Sequence, residues 1–142
     1  MNKTEIELIR ETWDLVVPIT DTAAQLFYQR LFEIDPDTKA LFAATDMAEQ
    51  NKKLFDTIFL VVKNVDQVDT LVPVLQELGR NHVNYGVEDR HYESVGSALL
   101  WTLEQGLGPR FTEGARAAWT TAYALVSETM RQAAADGQRP TA

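Results

Sequence analysis

The 142-residue sequence contains no cysteine and only two histidines. Without cysteine, the chain can form no disulfide, no thiol nucleophile and no thiolate metal site. Its longest wholly apolar run, residues 58–62, is far too short to span a bilayer. Residues 1–5 lack the basic and apolar segments of a signal peptide. We therefore expect a cytoplasmic protein.

Basic residues are also scarce. Lysine and arginine number 13 against 21 acidic residues, which gives a formal net charge of −8. Phosphate backbones and anionic membranes are bound through clustered cationic side chains, whereas the basic residues here are scattered. The composition thus predicts neither a nucleic acid nor a membrane as a partner.

Apolar residues recur at three- and four-residue steps along most of the chain, which predicts helices throughout. Thr4 followed by Glu7 is typical of a capping box. Asp35 and Pro36 indicate the start of a short helix, with Asp35 as the N-cap and Pro36 at the first helical position. The other helices are expected over about residues 21–34, 47–65, 69–83 and 89–107, with a last one capped by Thr112.

No stretch shows the alternation of a strand, so the predicted fold class is all-α, with about seven helices. Residues 1–135 are expected to form one domain, followed by a polar tail over residues 136–142. A short helix between longer ones argues against a regular four-helix bundle.

His82 lies at the end of an apolar stripe formed by Leu71, Leu75 and Leu78. It could be a buried core histidine bonded to a backbone carbonyl, or it could bind a metal. His91 is the other histidine, and a site made from protein ligands alone normally needs three or four of them. A haem requires only one axial imidazole in an apolar pocket. The pattern is compatible with haem without establishing it.

Five segments carry a resemblance to a known family. They are "ELIRETW" (7–13), "LFYQRLFEIDPDTKALF" (26–42), "LGRNHVNYGV" (78–87), "YESVGSALL" (92–100) and "LGPRFTEGARAAWTTAY" (107–123). Pro36, Phe42 and His82, in this order, form a specific combination. Along nearly its whole length the chain resembles the globin family, in particular bacterial single-domain globins of the Hell's Gate type, neuroglobin and the haem domain of flavohaemoglobins.

The resemblance implies a globin-like fold around one haem b (iron protoporphyrin IX), with His82 as the iron ligand through Nε2. The carbonyl of Leu78, one helical turn earlier, is the expected acceptor for the Nδ1–H of His82. Phe42 is expected to pack flat against the porphyrin. The further positions expected to contact the haem are Lys53, Leu54, Val87, Tyr92 and Val95. Lys53 could pair with a propionate or could equally be a solvated lysine.

On the other face of the haem, the resemblance places Tyr28 and Gln50 as the residues that act on the ligand. Taken without the resemblance, Tyr28 would be a core tyrosine and Gln50 a solvated helix residue. A tyrosine hydroxyl and a glutamine amide can both donate hydrogen bonds to bound oxygen. The implied property is tight, slowly reversed binding of O2, with CO and NO as further ligands.

Two departures from the relatives matter. Neuroglobin has a distal histidine that can bind the iron, whereas this chain has Gln50 there and His91 is expected on the proximal side. We therefore predict no bis-histidyl state. Flavohaemoglobins pair the proximal histidine with a tyrosine and a glutamate. Tyr92 matches the tyrosine, but Ala134 stands at the glutamate position, which weakens the expectation of redox catalysis.

Several functions remain open from the sequence. One is a tight oxygen binder, and another is a nitric oxide dioxygenase that uses a separate flavin reductase. A haem-free helical interaction module is a third, and a gas sensor has less support because no output domain is attached. We expect a monomer or a weak homo-oligomer. Gly79 and Gly96 are interpreted as sites of close packing and not as haem contacts.

Overall fold

The computed structural model describes residues 2–84 and 87–137, which form seven α-helices and two short 3₁₀ helices. The α-helices are α1 (Lys3–Val16), α2 (Thr20–Ile34), α3 (Thr38–Leu41), α4 (Met47–Asn64), α5 (Val68–Asn84), α6 (Asp89–Leu107) and α7 (Glu113–Gly137). The 3₁₀ helices are Val17–Ile19 and Gly108–Arg110. No strand occurs in these ranges, and the predicted all-α class is confirmed. Helix α7 includes Gly137, so only part of the predicted tail, 136–142, lies within the described residues.

The start of α1 differs from its prediction. Asn2, and not Thr4, is the N-cap: its side chain accepts a hydrogen bond from the Glu5 backbone N–H at 2.8 Å. The Glu5 carboxylate in turn accepts one from the Asn2 backbone N–H at 3.2 Å. Asparagine caps as well as threonine or better, so the helix begins earlier and Thr4 lies inside it. The predicted Thr4–Glu7 capping box is wrong.

The start of α3 also differs. Asp35 is not its N-cap, because the helix begins at Thr38 and the Asp35 carboxylate contacts α6 instead. The Asp35 carbonyl accepts hydrogen bonds from the Thr38 backbone N–H at 3.0 Å and from its hydroxyl at 2.6 Å. The Pro36 carbonyl accepts one from the Lys39 N–H at 3.1 Å. The residues before α3 thus form tight turns, in which a carbonyl accepts a hydrogen bond from the N–H three residues later.

Two glycines allow helices to approach each other closely. A Cβ atom on Gly79 would lie far inside van der Waals contact with the Met130 backbone oxygen. One on Gly96 would lie 2.6 Å from Cε2 of the Tyr123 ring. Helix α7 therefore packs against α5 and α6 only because both positions lack a side chain, and the close-packing interpretation is confirmed.

The main core lies where α1, α4, α6 and α7 meet. Ile9, Trp13, Leu103 and Trp119 are buried there. The Trp119 Nε1–H donates to the Thr12 hydroxyl at 2.7 Å, which joins α1 to α7. Helix α7 begins as predicted, with the Thr112 hydroxyl accepting from the Ala115 N–H at 3.2 Å. We refer to this region as the α1–α7 core.

None of the described helices is long and apolar enough to cross a bilayer.

Candidate functional site

An aromatic cluster forms where α2 meets the end of α3. The Tyr28 ring on α2 lies edge-on to the Phe42 ring, with centroids 5.4 Å apart and an interplanar angle of 69°. Phe32, one helical turn after Tyr28, contacts both rings, at 6.1 Å from Tyr28 and 5.9 Å from Phe42. The four-residue spacing places Tyr28 and Phe32 on one face of α2, so both reach the short helix that carries Phe42.

Helix α4 brings Gln50 and Leu54 to the same cluster. Asp46 caps this helix by accepting from the Ala48 N–H at 3.0 Å, which sets where its first turn begins. Gln50 and Leu54 then share a face because they are four residues apart. The Gln50 side chain lies beside the Tyr28 hydroxyl, where it acts to lower the pKa of that group, and Leu54 packs into the apolar cluster around Tyr28.

The hydroxyl of Tyr28 remains protonated at neutral pH. The side chain is buried, with 6% exposure, and burial raises its pKa above the ordinary value of 10.0. The Gln50 side chain acts in the opposite direction but has the smaller effect. A neutral tyrosine keeps its O–H donor, so Tyr28 can donate a hydrogen bond to a ligand.

Val95 of α6 completes this side of the site. It packs, with Met47 and Leu99, around a buried centre that includes Phe27 and Leu31. Phe32, Phe42, Met47, Leu54 and Val95 are only partly buried. We call Tyr28, Phe42, Gln50, Leu54 and Val95 the tyrosine side.

His82 lies near the end of α5. Its Nδ1 is 2.6 Å from the Leu78 carbonyl oxygen, as expected from the helical spacing. Because a carbonyl oxygen can only accept, Nδ1 is the donor in this contact. The His82 carbonyl accepts from the Val87 N–H at 3.1 Å, which links α5 to a residue shortly before α6. Of the motif 78–87, residues 85 and 86 lie outside the described residues.

Leu78, Val87 and Tyr92 pack in one further cluster with buried Leu71 and Leu75. We call Leu78, His82, Val87 and Tyr92 the histidine side.

Tyr92 is held from α7. The Tyr123 hydroxyl donates to the Tyr92 carbonyl at 2.5 Å. Burial raises the pKa of the Tyr92 hydroxyl, nearby Asp89 raises it further, and Arg131 lowers it. Ala134 is half-buried on α7 and brings no carboxylate. The charged neighbours of Tyr92 are thus Asp89 and Arg131, which form a 3.6 Å ion pair.

Lys53 and His91 belong to neither side. Lys53 is exposed on α4, and its contact with a propionate stays a prediction. His91 lies in the first turn of α6 and is buried, with 4% exposure. Its Nδ1 accepts from the Glu88 N–H at 2.9 Å, which helps to cap α6. Its Nε2 is buried without a hydrogen-bond partner among the described residues.

Phe32 and Met47 are neighbours of the tyrosine side that were not expected from the sequence, and neither was the contact of Asp35 with α6. The four-residue step from Tyr28 would have indicated Phe32. Met47 carries no distinctive signal. Asp35 matched a helix start, and no local pattern connects it with α6.

Comparisons with known proteins define the class to which this helical arrangement belongs. The family model described as Globin matches residues 25–130. A neuroglobin of Danio rerio is 31% identical over 136 residues, covering 87% of this chain and 86% of that protein. A flavohemoprotein of Bacillus subtilis is 29% identical over 129 residues, covering 89% of this chain but 32% of that protein. The chain thus spans about a third of the length of the flavohemoproteins it matches.

The fold has a solved counterpart as well. The crystal structure of a hexacoordinated haem protein from an anhydrobiotic tardigrade superposes with a TM-score of 0.83, over 95% of this chain and 96% of that one, at 20% identity. The helices therefore have the globin arrangement. The chain belongs to the globin family, which implies that it binds haem.

The residues present fit such a group. A porphyrin brings four nitrogen ligands of its own and requires one axial ligand and an apolar surround. His82 provides an imidazole whose Nδ1 is directed to a carbonyl at 2.6 Å. The partly buried apolar residues of the tyrosine side provide surface for the ring system.

Proposed function

We propose that this chain is a haem b globin that binds O2 tightly and reversibly, and CO and NO as well. His82 serves as the axial ligand, and Tyr28 and Gln50 act on the bound molecule. Haem b supplies the iron at which these diatomic molecules bind. Lys53, Leu78, Val87, Tyr92 and the apolar members of the tyrosine side complete the proposed haem contacts.

The observation that carries this proposal is the buried Tyr28 side chain, which contacts the Phe42 ring and has Gln50 of α4 beside its hydroxyl. Two polar side chains with N–H or O–H groups meet here within an apolar cluster. Tyr28 is buried and Gln50 is half-buried, and polar groups in such positions normally have hydrogen-bond partners. Each of the two side chains carries a donor that could serve a small ligand.

His82 is suited to the axial position for a separate reason. The Leu78 carbonyl fixes the orientation of its ring and its tautomer, as the outer partners of metal-bound histidines do. Helix α5 holds both groups, since Leu78 and His82 are one turn apart. Nε2 is then the nitrogen that would bind the iron.

The strength of the hydrogen bonds from the two donors determines how much they slow the release of a bound ligand. A hydrogen bond to a charged acceptor contributes roughly 1.5–3 kcal/mol, and about 1.4 kcal/mol corresponds to a factor of ten. When bound, O2 would accept hydrogen bonds from Tyr28 and Gln50 more strongly than CO would, because it is the more polar ligand. Each donor should therefore slow oxygen release about tenfold or more, with a smaller effect on carbon monoxide.

Oxygen dissociation from the haem-loaded protein tests this proposal. Tyr28→Phe and Gln50→Leu should each accelerate it about tenfold or more, measured by stopped-flow displacement with carbon monoxide. Thr12→Val is the control, because it removes a buried hydroxyl from the α1–α7 core. Rates that stay at the wild-type value in both site variants would contradict the assignment of Tyr28 and Gln50.

A second candidate function is that of a nitric oxide dioxygenase, which converts NO and O2 to nitrate. The similarity to flavohemoproteins and the Tyr28–Gln50 pair favour it. Ala134 disfavours it, since this position brings no carboxylate to Tyr92. The reaction would need electrons from a partner, and we propose a separate flavin reductase.

Nitric oxide consumption distinguishes the two candidates. The oxygenated protein is supplied with nitric oxide, a generic flavin reductase and reduced nicotinamide, while its absorption spectrum is followed. Loss of one equivalent per haem, leaving ferric protein, would favour the oxygen binder. Consumption of many equivalents above the reductase background would favour the dioxygenase. A monomeric or weakly associating state and a cytoplasmic location stay part of the prediction.

A further inference from the structure

Asp35 is a buried carboxylate between α2 and α3. Its residue is 8% exposed. Arg90 of α6 donates to both of its oxygens through one nitrogen, at 3.1 and 3.3 Å. The Ser94 hydroxyl, one turn further along α6, donates to the same carboxylate at 2.9 Å. A buried charge is tolerated only with such partners. For the Asp35 side chain, both partners come from α6.

Arg90 connects more than this pair. Its guanidinium also contacts the Asp37 carboxylate at 3.5 Å and the Glu88 carboxylate at 3.0 Å. Asp35 and Asp37 precede α3, whereas Glu88 precedes α6. The Arg90 guanidinium thus contacts three carboxylates. Two of them lie in the α2–α3 connection, which we call the first corner, and the third lies just before α6, which we call the second corner.

The carboxylate of Asp35 is ionised at neutral pH. Burial raises its pKa, but the hydrogen bond from Ser94 and the charge and hydrogen bonds of Arg90 lower it, with a smaller contribution from His91. The net direction is downwards from 3.8. The contact is therefore a charged one.

The two corners lead directly to the two sides of the site. Phe42 ends the short helix that follows Asp35, and its ring packs on Tyr28. On the other corner, Val87 precedes Arg90 by three residues and donates its N–H to the His82 carbonyl. The contacts of Asp35 with Arg90 and Ser94 therefore join the segment that carries Phe42 to the start of α6. Val87, shortly before α6, is in turn bonded to His82.

We propose that Asp35, Arg90 and Ser94 are positioning residues for the haem site, because they fix the tyrosine side relative to the histidine side. This inference rests on the proposed haem-binding function. A purely structural ion pair would stabilise the fold without changing how firmly the two sides hold a group between them.

The experiment uses haem-loaded protein and three carboxylate or hydroxyl variants. Asp35→Asn removes the charge and keeps the shape, and Ser94→Ala removes one hydrogen bond as a milder change. Asp66→Asn is the matched control, because Asp66 forms a 3.0 Å ion pair with Arg10 that joins α1 to the α4–α5 connection. Haem transfer to an excess of a high-affinity apoglobin gives the rate of haem loss.

We expect Asp35→Asn to accelerate haem loss about tenfold, which is the factor that corresponds to the loss of one hydrogen bond to a charged group. Ser94→Ala should have a smaller effect in the same direction, and Asp66→Asn should leave the rate unchanged. Hydrogen exchange of the Phe42 and Val87 amides provides a second readout. Both should exchange faster in Asp35→Asn, although they lie on different corners.

Unchanged haem loss in both Asp35→Asn and Ser94→Ala, with thermal stability lowered as much as in Asp66→Asn, would overturn the positioning role. Faster exchange at Phe42 alone, with Val87 unchanged, would also contradict it. Failure of the wild-type chain to take up haem would instead refute the proposed function, so the two failures are distinguishable.

Discussion

The α1–α7 core and the tyrosine side are built from similar aliphatic and aromatic residues, yet they are buried to different extents. Ile9 and Trp119 in the core are 1% and 4% exposed. Phe42 and Leu54 on the tyrosine side are only partly buried. The core is also joined by the Thr12–Trp119 hydrogen bond. One region thus stabilises the helical frame, while the other keeps apolar surface for a bound group.

Matched leucine truncations in the protein without bound haem should give the largest contrast. Leu103→Ala should lower the free energy of unfolding by about 2–5 kcal/mol, because it leaves a cavity in a close-packed core. Leu54→Ala should lower it by only about 1 kcal/mol, because less apolar area is buried there. Urea unfolding measures both values. Equal losses would show that the two regions do not differ in packing.

The close approach of α5 and α7 gives the next effect. Gly79→Ala should destabilise the protein by about 1–3 kcal/mol or more, since the new methyl group would meet the Met130 backbone and force the helices apart. Gly114→Ala is the control, because its Cβ would lie 3.4 Å from Leu8, an ordinary contact. Thermal unfolding of the two variants checks this prediction. A stable Gly79→Ala protein would contradict the packing described here.

Loss of one core hydrogen bond should have a moderate effect. Thr12→Val leaves the buried Nε1–H of Trp119 without its acceptor, which costs about 1–3 kcal/mol. The measurements are urea unfolding and oxygen dissociation, side by side. We expect lower stability with an unchanged oxygen dissociation rate. A change in that rate comparable with the effect of Tyr28→Phe would show that the core and the site are coupled.

The smallest effect is expected at alkaline pH. The pKa of Tyr28 in the folded protein is raised above 10.0, so the unfolded chain releases this proton first. The stabilising effect is therefore complete below the unfolded pKa and is lost as the pH rises towards the folded pKa. Tyr28→Phe should remove part of the decline in unfolding free energy above about pH 10. Parallel pH profiles for the two proteins would contradict the burial of a neutral hydroxyl.

Helical periodicity predicted the frame well, because every long helix has a continuous apolar face. Helix α6 occupies 89–107 in both the prediction and the structure. The caps were harder to predict. Thr4 and Asp35 both satisfy local rules for helix starts, but Asn2 offers a cap two residues earlier, and Asp35 finds Arg90, which is 55 residues away in sequence.

The candidate site was predictable to the extent that it depends on spacing. Gln50 and Leu54 share a face, and Leu78 lies one turn before His82, so the corresponding contacts follow from helix geometry. The Tyr28–Gln50 contact joins two helices and was expected only through the family resemblance. The connection of Asp35 with Arg90 and Ser94 depends on how two corners meet in space, which no local pattern encodes.

The central claim is that His82 provides the axial ligand of a haem. Its most direct test is the resonance Raman spectrum of the ferrous, haem-loaded protein, recorded for the wild type and for His82→Gly with and without added imidazole. We expect an iron–histidine stretching band in the wild type, its loss in His82→Gly and the return of a band when imidazole is added. A band that persists unchanged in His82→Gly and disappears in His91→Gly would contradict the claim.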